Sequence, residues 1–502
     1  MSVQSDEMKR STLQRKDREE LTSIAMALGG KPSSRARKAE LVDLILELAD
    51  GGAAVSDEVT DDSEPVVEPE VVAEESETEV EPSTDDQSSG PAPSNDGTAG
   101  DDDPGKPDQG NRRRRRRGRD REKQGSDEEW AGEPTLVEGF LDLRDEGYGF
   151  LRVNGFMPSR EDAYVSVKQV RQFGLRRGDQ IIGGARPANR NEKNAALHQI
   201  DSVNGAEPES VRDRPEFADL TAISPHESLT LERPGESDAL ASRVIDLVAP
   251  IGKGQRGLIE AAPGAGVTTL ITEIARSIEA NNPEVHLIVL TIDERPEEIT
   301  GLQQSLARGE VAATTFDRPA DEHVAAAELT MERAKRMVES GRDVCVIVDG
   351  LTRLTRAYNQ LGPGSGRVGS AGIDYGATQA TKRFFGAARN VEDSGSLTML
   401  ATIAVGTGIE ADRVIFEELR PTANMTLRLD ASAARKGLFP AIDVAASSTR
   451  NAVSIVGDDG AAGRAALRDE IADDDNDVVL KALLNRLEAD STNAALLAKA
   501  TK

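Results

Sequence analysis

Two kinds of hydrophobic pattern divide this chain. Between residues 135 and 205 apolar positions come in short alternating segments separated by turn residues. They are Val137-Glu-Gly-Phe-Leu-Asp-Leu143, Tyr148-Gly-Phe-Leu-Arg-Val153, Asp162-Ala-Tyr-Val-Ser166 and Asp179-Gln-Ile-Ile-Gly183. Period-two segments at this spacing predict a small Greek-key β-barrel. After residue 240 the pattern changes to apolar runs: Val285-His-Leu-Ile-Val-Leu-Thr-Ile292, Val344-Cys-Val-Ile-Val348 and Ser396-Leu-Thr-Met-Leu-Ala-Thr-Ile403, with a helical-period stretch over 324–338. Runs without alternation are strands buried on both faces, and their alternation with helices predicts a parallel sheet covered on each side. Ahead of both, Leu21, Ile24, Ala25 and Leu28 have helical spacing, Gly29-Gly-Lys-Pro32 interrupts it, and Ala39, Leu41, Val42, Leu44, Ile45 and Leu48 resume it. The basic residues at that turn (Lys31, Arg35, Arg37, Lys38) suit a solvated helix pair and a nucleic-acid contact equally.

Composition changes the picture once the charge is located. The net charge of −28 over 502 residues looks hostile to nucleic acid. Residues 51–109, however, hold 19 Asp/Glu against Lys106 alone, about −18, with Pro, Ser, Gly and Thr interleaved. Such a stretch cannot bury a core and reads as an acidic linker. It ends in six consecutive arginines at 112–117, a run suited to phosphate contact. Overall acidity is therefore no argument against RNA. The lone Cys345 excludes disulfides within the chain, and four scattered histidines show no ligand spacing. Without an apolar run of membrane-spanning length, and with a polar N-terminus, the expected location is cytoplasmic.

The chemistry centres on Gly257-Leu-Ile-Glu-Ala-Ala-Pro-Gly-Ala-Gly-Val-Thr-Thr269. An apolar strand enters a small-residue turn, and a helix follows with Leu270, Ile271, Ile274 and Ile278 on its apolar face. This is a phosphate-binding loop, which aims backbone N–H groups and a helix N-terminus at phosphate oxygens and offers Thr268 to Mg²⁺. Val267 stands where the loop's lysine should be. Two apolar runs then end in acids, at Asp293-Glu294 and at Asp349, and a strand-terminal carboxylate is what Mg²⁺ needs. In the alternating region Tyr148 and Phe150 lie two apart beside Arg152. Rings so placed either stack unpaired bases or pack in the barrel.

At this point the chain resembles a known family, bacterial transcription termination factor Rho. The resemblance rests on Pro250-Ile-Gly-Lys-Gly-Gln-Arg-Gly257, Asp293-Glu-Arg-Pro-Glu-Glu298, Thr352-Arg-Leu-Thr-Arg-Ala-Tyr-Asn359, Lys382-Arg-Phe-Phe-Gly-Ala-Ala-Arg-Asn390, Phe439-Pro-Ala-Ile-Asp443 and Ser448-Thr-Arg450. It implies a RecA-like α/β core preceded by an OB or cold-shock-like barrel and a small helical module. The expected parts are the module at 1–50, the linker at 51–134, the barrel at 135–210, the ATP-binding core at 211–460 and a helical segment at 461–502. It further implies a homohexameric ring with ATP and Mg²⁺ between subunits, single-stranded nascent RNA on the barrels and in the pore, and RNA polymerase as a partner. By position, Glu294 would polarise the attacking water, Asp349 and Thr268 would manage Mg²⁺, and Arg450 would be an arginine finger from the neighbouring subunit. The nucleotide set comprises Gly252, Lys253, Gly254, Gln255, Arg256 and Gly257, then Gly264, Ala265, Gly266, Val267, Thr268 and Thr269, with Arg295 and the adenine-stacking Phe439. The RNA set comprises Tyr148, Gly149, Phe150, Leu151, Arg152, Val153, Asp162, Ala163, Tyr164, Glu192, Lys193 and Asn194 on the barrel, and Arg367 and Glu410 in the pore.

The departures from the family fall on the chemistry. Its two loop lysines are here Gly264 and Val267; an arginine is replaced by Gly437; a pore lysine is Glu410; and a barrel aromatic is Asn194. Lys253 and Arg256 are the nearby cations that could replace the lost charge. Removing such a contact from phosphoryl transfer costs about 10²–10⁴ in rate. Two readings follow: an RNA-dependent ATPase with a rearranged phosphate grip, or an ATPase-deficient relative acting as an RNA-binding regulator.

Overall fold

The computed structural model describes residues 132–190, 192–236, 239–362, 368, 369 and 371–500, together with Leu21, Leu41, Val42 and Ile45, which are helical and buried. The rest of the N-terminal module, the acidic linker, the arginine run and Arg367 lie outside the described residues.

The alternating segments form a closed barrel. Strands β1 (Thr135–Leu143), β2 (Gly149–Arg152), β3 (Ala163–Val165), β4 (Gln180–Arg186) and β5 (Ala196–Val203) close in the order β1-β2-β3-β5-β4. All pairs are antiparallel except β3–β5. Leu141, Leu151, Val165, Ile181 and Val203 fill the interior with no solvent exposure. Closing so small a barrel needs glycine: a Cβ on Gly139 would lie 2.2 Å from the Arg152 carbonyl oxygen.

The core is a nine-stranded sheet. Its strands are β6 (Ala222–Ile223), β7 (Arg256–Ala261), β8 (His286–Glu294), β9 (Glu310–Thr315), β10 (Val344–Asp349), β11 (Arg389–Val391), β12 (Ser396–Ala404), β13 (Met425–Arg428) and β14 (Ser448–Thr449). The order β13-β7-β12-β10-β8-β9 is parallel throughout, with β14, β11 and β6 added antiparallel. Every residue of β10 is buried, as a strand covered on both faces requires. The helices Val453–Ile471, Asn476–Ala489 and Asn493–Ala500 pack Leu467, Leu480, Leu483 and Leu496 into the same hydrophobic cluster as the phosphate-loop helix Val267–Asn281. The expected boundary at 460 thus falls inside a helix, and the C-terminal segment completes this core.

The barrel sits on the helix Ala320–Glu339. Gly178 approaches it so closely that a Cβ would lie 2.4 Å from the Arg333 nitrogen, and its φ of +86° independently favours glycine. Arg333 donates to Gln180 at 2.8 Å, and Arg177 bridges Asp142 and Glu328, each at 3.0 Å. Glu339 ties the junction. Its fully buried carboxylate takes Arg336 at 2.7 Å, Arg176 at 3.2 Å, Arg214 at 3.4 Å and the Phe217 N–H at 2.8 Å. Removing one member of such a buried network strands its partners. Glu339→Ala is expected to lower stability by about 3–5 kcal/mol, measured by chemical denaturation, while Glu339→Gln retains part of the network and costs less.

Candidate functional site

The phosphate loop occupies the turn between β7 and the helix Val267–Asn281. Gly264 and Gly266 hold φ values of +77° and +83°, which glycine adopts without strain, and Gly266 caps the helix. Gly264 is exposed, whereas Val267 is half-buried against the hydrophobic core. The side chain at 267 thus serves packing and offers no charge. Parallel strands place their carboxyl ends on one edge of the sheet. β8 and β10 accordingly bring Glu294 and Asp349 to the loop, where they line a cavity of about 20 Å³ with Thr268 and Thr291. Before Glu294, Asp293 is left-handed (φ +57°) and the β8–β9 register shifts, a local strain that re-aims the strand end.

A cation already stands between these acids. Arg353 donates to Glu294 Oε2 at 2.8 Å and to the Asp293 carbonyl at 3.0 Å, and lies 3.0 Å from Asp349 Oδ1. Burial opposes its charge, but Asp349 and Glu294 outweigh that and raise its pKa. Thr402 also donates to Asp349 Oδ1 at 2.8 Å. Arg353 and Arg356 face the loop across a cavity of about 460 Å³ that includes Gly264, Val267 and Thr407. Arg353 lies inside the Thr352–Asn359 motif but was given no role there; its position four residues after a strand-terminal acid was the available signal. The hydroxyl and carboxylate oxygens of Thr268 and Asp349 are hard donors of the kind Mg²⁺ prefers, so the residues fit that ion.

The first nucleotide motif lies elsewhere. Gly252, Lys253, Gly254, Gln255, Arg256 and Gly257 precede or open β7, whose far end carries the loop. Six extended residues separate them by roughly 20 Å. Lys253 is held by Asp343 at 2.8 Å and Glu227 at 3.1 Å; burial opposes its charge, but these carboxylates raise its pKa. Arg256 donates to the carbonyls of Thr422 and Ala388 at 3.0 and 2.8 Å. Neither replaces the loop lysine within one chain. Arg450 is also at this opposite end, exposed after β14, with its N–H on the Asn424 carbonyl at 2.9 Å. Phe439 is 43% exposed, in the segment that returns beside Leu429 next to the loop's strand. Ala265 is buried, while Thr269 and Arg295 are exposed. Of the cations near Gly437, Lys436 is paired with Asp477 and Arg435 is exposed. Glu410 starts the helix Glu410–Leu419 and pairs with Arg413 at 2.5 Å, which lowers its pKa.

On the barrel, Tyr148, Phe150 and Tyr164 form one half-exposed group, with ring centroids 5.7–6.1 Å apart. These rings lie apart from the packed interior of Leu141, Leu151 and Val165. Arg152 lies over the Phe150 ring, 5.7 Å from its centroid, with its guanidinium held by two carboxylates. It is 4% exposed and donates to Asp142 at 2.5 Å and to Asp162 at 2.6 Å, so it locks β1, β2 and the approach to β3. Asp162 is consumed by that pair and by Ser159, and Gly149, Leu151 and Ala163 are buried. Val153 is half-buried; Glu192 pairs with Arg186, which pulls its carboxyl down to about 2; Asn194 donates to the Asp162 carbonyl; and Lys193 is exposed.

Comparison with known proteins agrees with this geometry. Residues 137–209 match the Rho termination factor RNA-binding domain, and residues 241–449 match the nucleotide-binding domain of the ATP synthase alpha/beta family. Transcription termination factor Rho of Pseudomonas aeruginosa is 46% identical over 366 residues, 72% of this chain and 87% of that protein. The Bacillus subtilis Rho is 50% identical over 316 residues, 63% of this chain and 73% of that protein. The chain belongs to the Rho family. Against the Streptomyces lividans Rho it is 49% identical over 369 residues, 73% of this chain, but spans about half (52%) of that protein's length. In this Rho-family chain a nucleotide-binding domain is joined to an RNA-binding barrel, and among the described residues no helix is long and apolar enough to cross a membrane.

Two substitutions separate the roles assigned above. Phe150→Ala is expected to weaken binding of single-stranded RNA about 10-fold or more, since each base–aromatic stack is worth about 1–3 kcal/mol; Arg152→Gln should instead lower the barrel's unfolding temperature. Val267→Lys adds a cation at the loop, and nucleotide titration should show affinity rising about 10-fold.

Proposed function

We propose that this chain is a Rho-type transcription termination factor: a hexameric ring that holds single-stranded nascent RNA on its barrels and uses or senses ATP between subunits. The observation that carries this reading is the division of parts across one sheet. The loop, Glu294, Asp349 and Phe439 stand at one end, and Arg450 at the other, so Arg450 meets a nucleotide only on a neighbouring copy. A head-to-tail arrangement repeats such a contact and closes into a ring. Tyr148, Phe150 and Tyr164 supply sequence-tolerant stacking for unpaired bases. RNA polymerase is the partner that termination implies, and the cytoplasm the compartment.

The residues divide the work. Backbone N–H groups of the loop cradle phosphates, Phe439 stacks on the base, and Glu294 accepts a hydrogen bond from the attacking water. Mg²⁺, held by Thr268 and Asp349, would neutralise charge on the bound phosphates. Arg353 orients the Glu294 carboxylate through its 2.8 Å hydrogen bond. The charge that the loop normally adds is missing, because Val267 is apolar and Lys253 is tied elsewhere. This favours slow turnover, in which ATP state is sensed more than spent and the protein acts as an RNA-binding regulator.

ATP hydrolysis by the full chain with and without poly(C), beside Val267→Lys, tests the reading. Expected are RNA binding, turnover at least 100-fold below that of a Rho with both loop lysines, and a gain in the Lys variant. Brisk RNA-stimulated turnover in the unmodified chain would overturn the regulator reading; failure to bind poly(C) would overturn the family role.

A further inference from the structure

Three arginines gather at the amino end of the sheet without a counter-ion. Arg256 opens β7, Arg389 opens β11, and Arg450 follows β14. Their anchors are shared: the N–H groups of Arg256 and Arg450 both bond Asn424, at its side-chain oxygen (2.8 Å) and its carbonyl (2.9 Å). The Arg256 guanidinium is fixed by the carbonyls of Thr422 and Ala388, and Arg389 Nε donates to the Ala387 carbonyl at 3.1 Å. Arg389 also lies over the Phe217 ring, 4.7 Å from its centroid. Main-chain carbonyls orient these groups but do not neutralise them. Among the described residues no ion pair joins any of the three to a carboxylate, and the charges that act on the half-buried Arg256 are those of Arg389 and Arg450. Like charges held together at a half-buried site are unfavourable unless an anion completes them.

The anion is identified by what the other end of the sheet lacks. A polyphosphate on the loop finds no cation at positions 264 and 267, Glu294 and Asp349 hold Arg353, Asp412 holds Arg356, and among the described residues the cations left at this end are the exposed Arg276 and Arg295. Within one chain the arginines are out of reach, roughly 20 Å along β7. We propose that Arg256 and Arg389 bind, together with Arg450, the polyphosphate of a nucleotide seated on the phosphate loop of a second copy of this chain. This rests on the ring reading above and deepens it, because the positive charge lost from the loop is supplied across the subunit boundary. Guanidinium groups suit the task through paired, directional N–H donation to phosphate oxygens. Nucleotide binding and assembly are then one linked equilibrium, each strengthening the other by the same factor.

The test uses the full chain, a fluorescent ATP analogue and native mass measurement across a protein dilution series. In the assembled protein Arg256→Gln and Arg389→Gln should each weaken ATP-analogue binding about 10-fold or more, as loss of a charge-assisted contact does. The corresponding Lys variants should recover part of it. Binding by the unmodified chain should fall away as dilution breaks the assembly. Unfolding temperatures keep the test clean: Arg256 braces two carbonyls and Arg389 only one, so an Arg389→Gln variant that keeps the unmodified chain's unfolding temperature decides the matter alone. Assembled Gln variants with unchanged ATP affinity would overturn the proposal and leave the ring intact. Loss of poly(C) affinity in place of ATP affinity would assign the cluster to RNA and overturn it likewise. A chain that stays monomeric at every concentration while binding nucleotide would remove both the proposal and the ring.

Discussion

Strand direction is the constraint on which this molecule depends. Six neighbouring strands of the core run parallel, so everything at their carboxyl ends shares one edge and everything at their amino ends shares the other. That single fact brings Glu294, Asp349 and the phosphate loop together from three separate segments. It also carries Arg256, Arg389 and Arg450 away from them. A nucleotide site built on such a sheet has its acids and backbone donors at one edge, and the loop itself carries no cation at positions 264 and 267. The separation of these two groups of residues therefore follows from topology alone.

Charge placement refines the same picture. Arg353 settles between two carboxylates that would otherwise face each other in a half-buried cleft, and Lys253 is likewise claimed by Asp343 and Glu227. In the barrel Arg152 is spent on Asp142 and Asp162, and at the junction Glu339 collects three guanidinium groups. Each pairing removes a charge from the inventory open to phosphate. Arg256, Arg389 and Arg450 have no such partner among the described residues, and they lie together at one edge of the sheet. The barrel's rings follow an analogous logic: the aliphatic residues suffice to fill so small an interior, which leaves Tyr148, Phe150 and Tyr164 grouped outside it.

Much of this was legible in the sequence, because it depends on local pattern. Period-two segments marked β1 to β4 of the barrel but not β5, unbroken apolar runs marked β8, β10 and β12, and a small-residue turn between strand and helix marked the loop with its two left-handed glycines. Acids at the ends of apolar runs marked Glu294 and Asp349. The absence of a lysine at 267 is a fact of the sequence alone, since no fold can make valine a cation. What remained hidden depends on which side chains meet across long separations. Arg152 fell in the RNA set beside Phe150, but proximity along a strand says nothing of Asp142 and Asp162 behind it. Lys253 and Arg256 looked close to the loop because they precede it by few residues, yet an extended strand turns those few residues into the full height of the sheet. Arg389 and Arg353 lie inside motifs that gave neither a role, and the tertiary structure alone gave them company: burial and strand order decide which charges are paired, and only pairing decides which are left to bind.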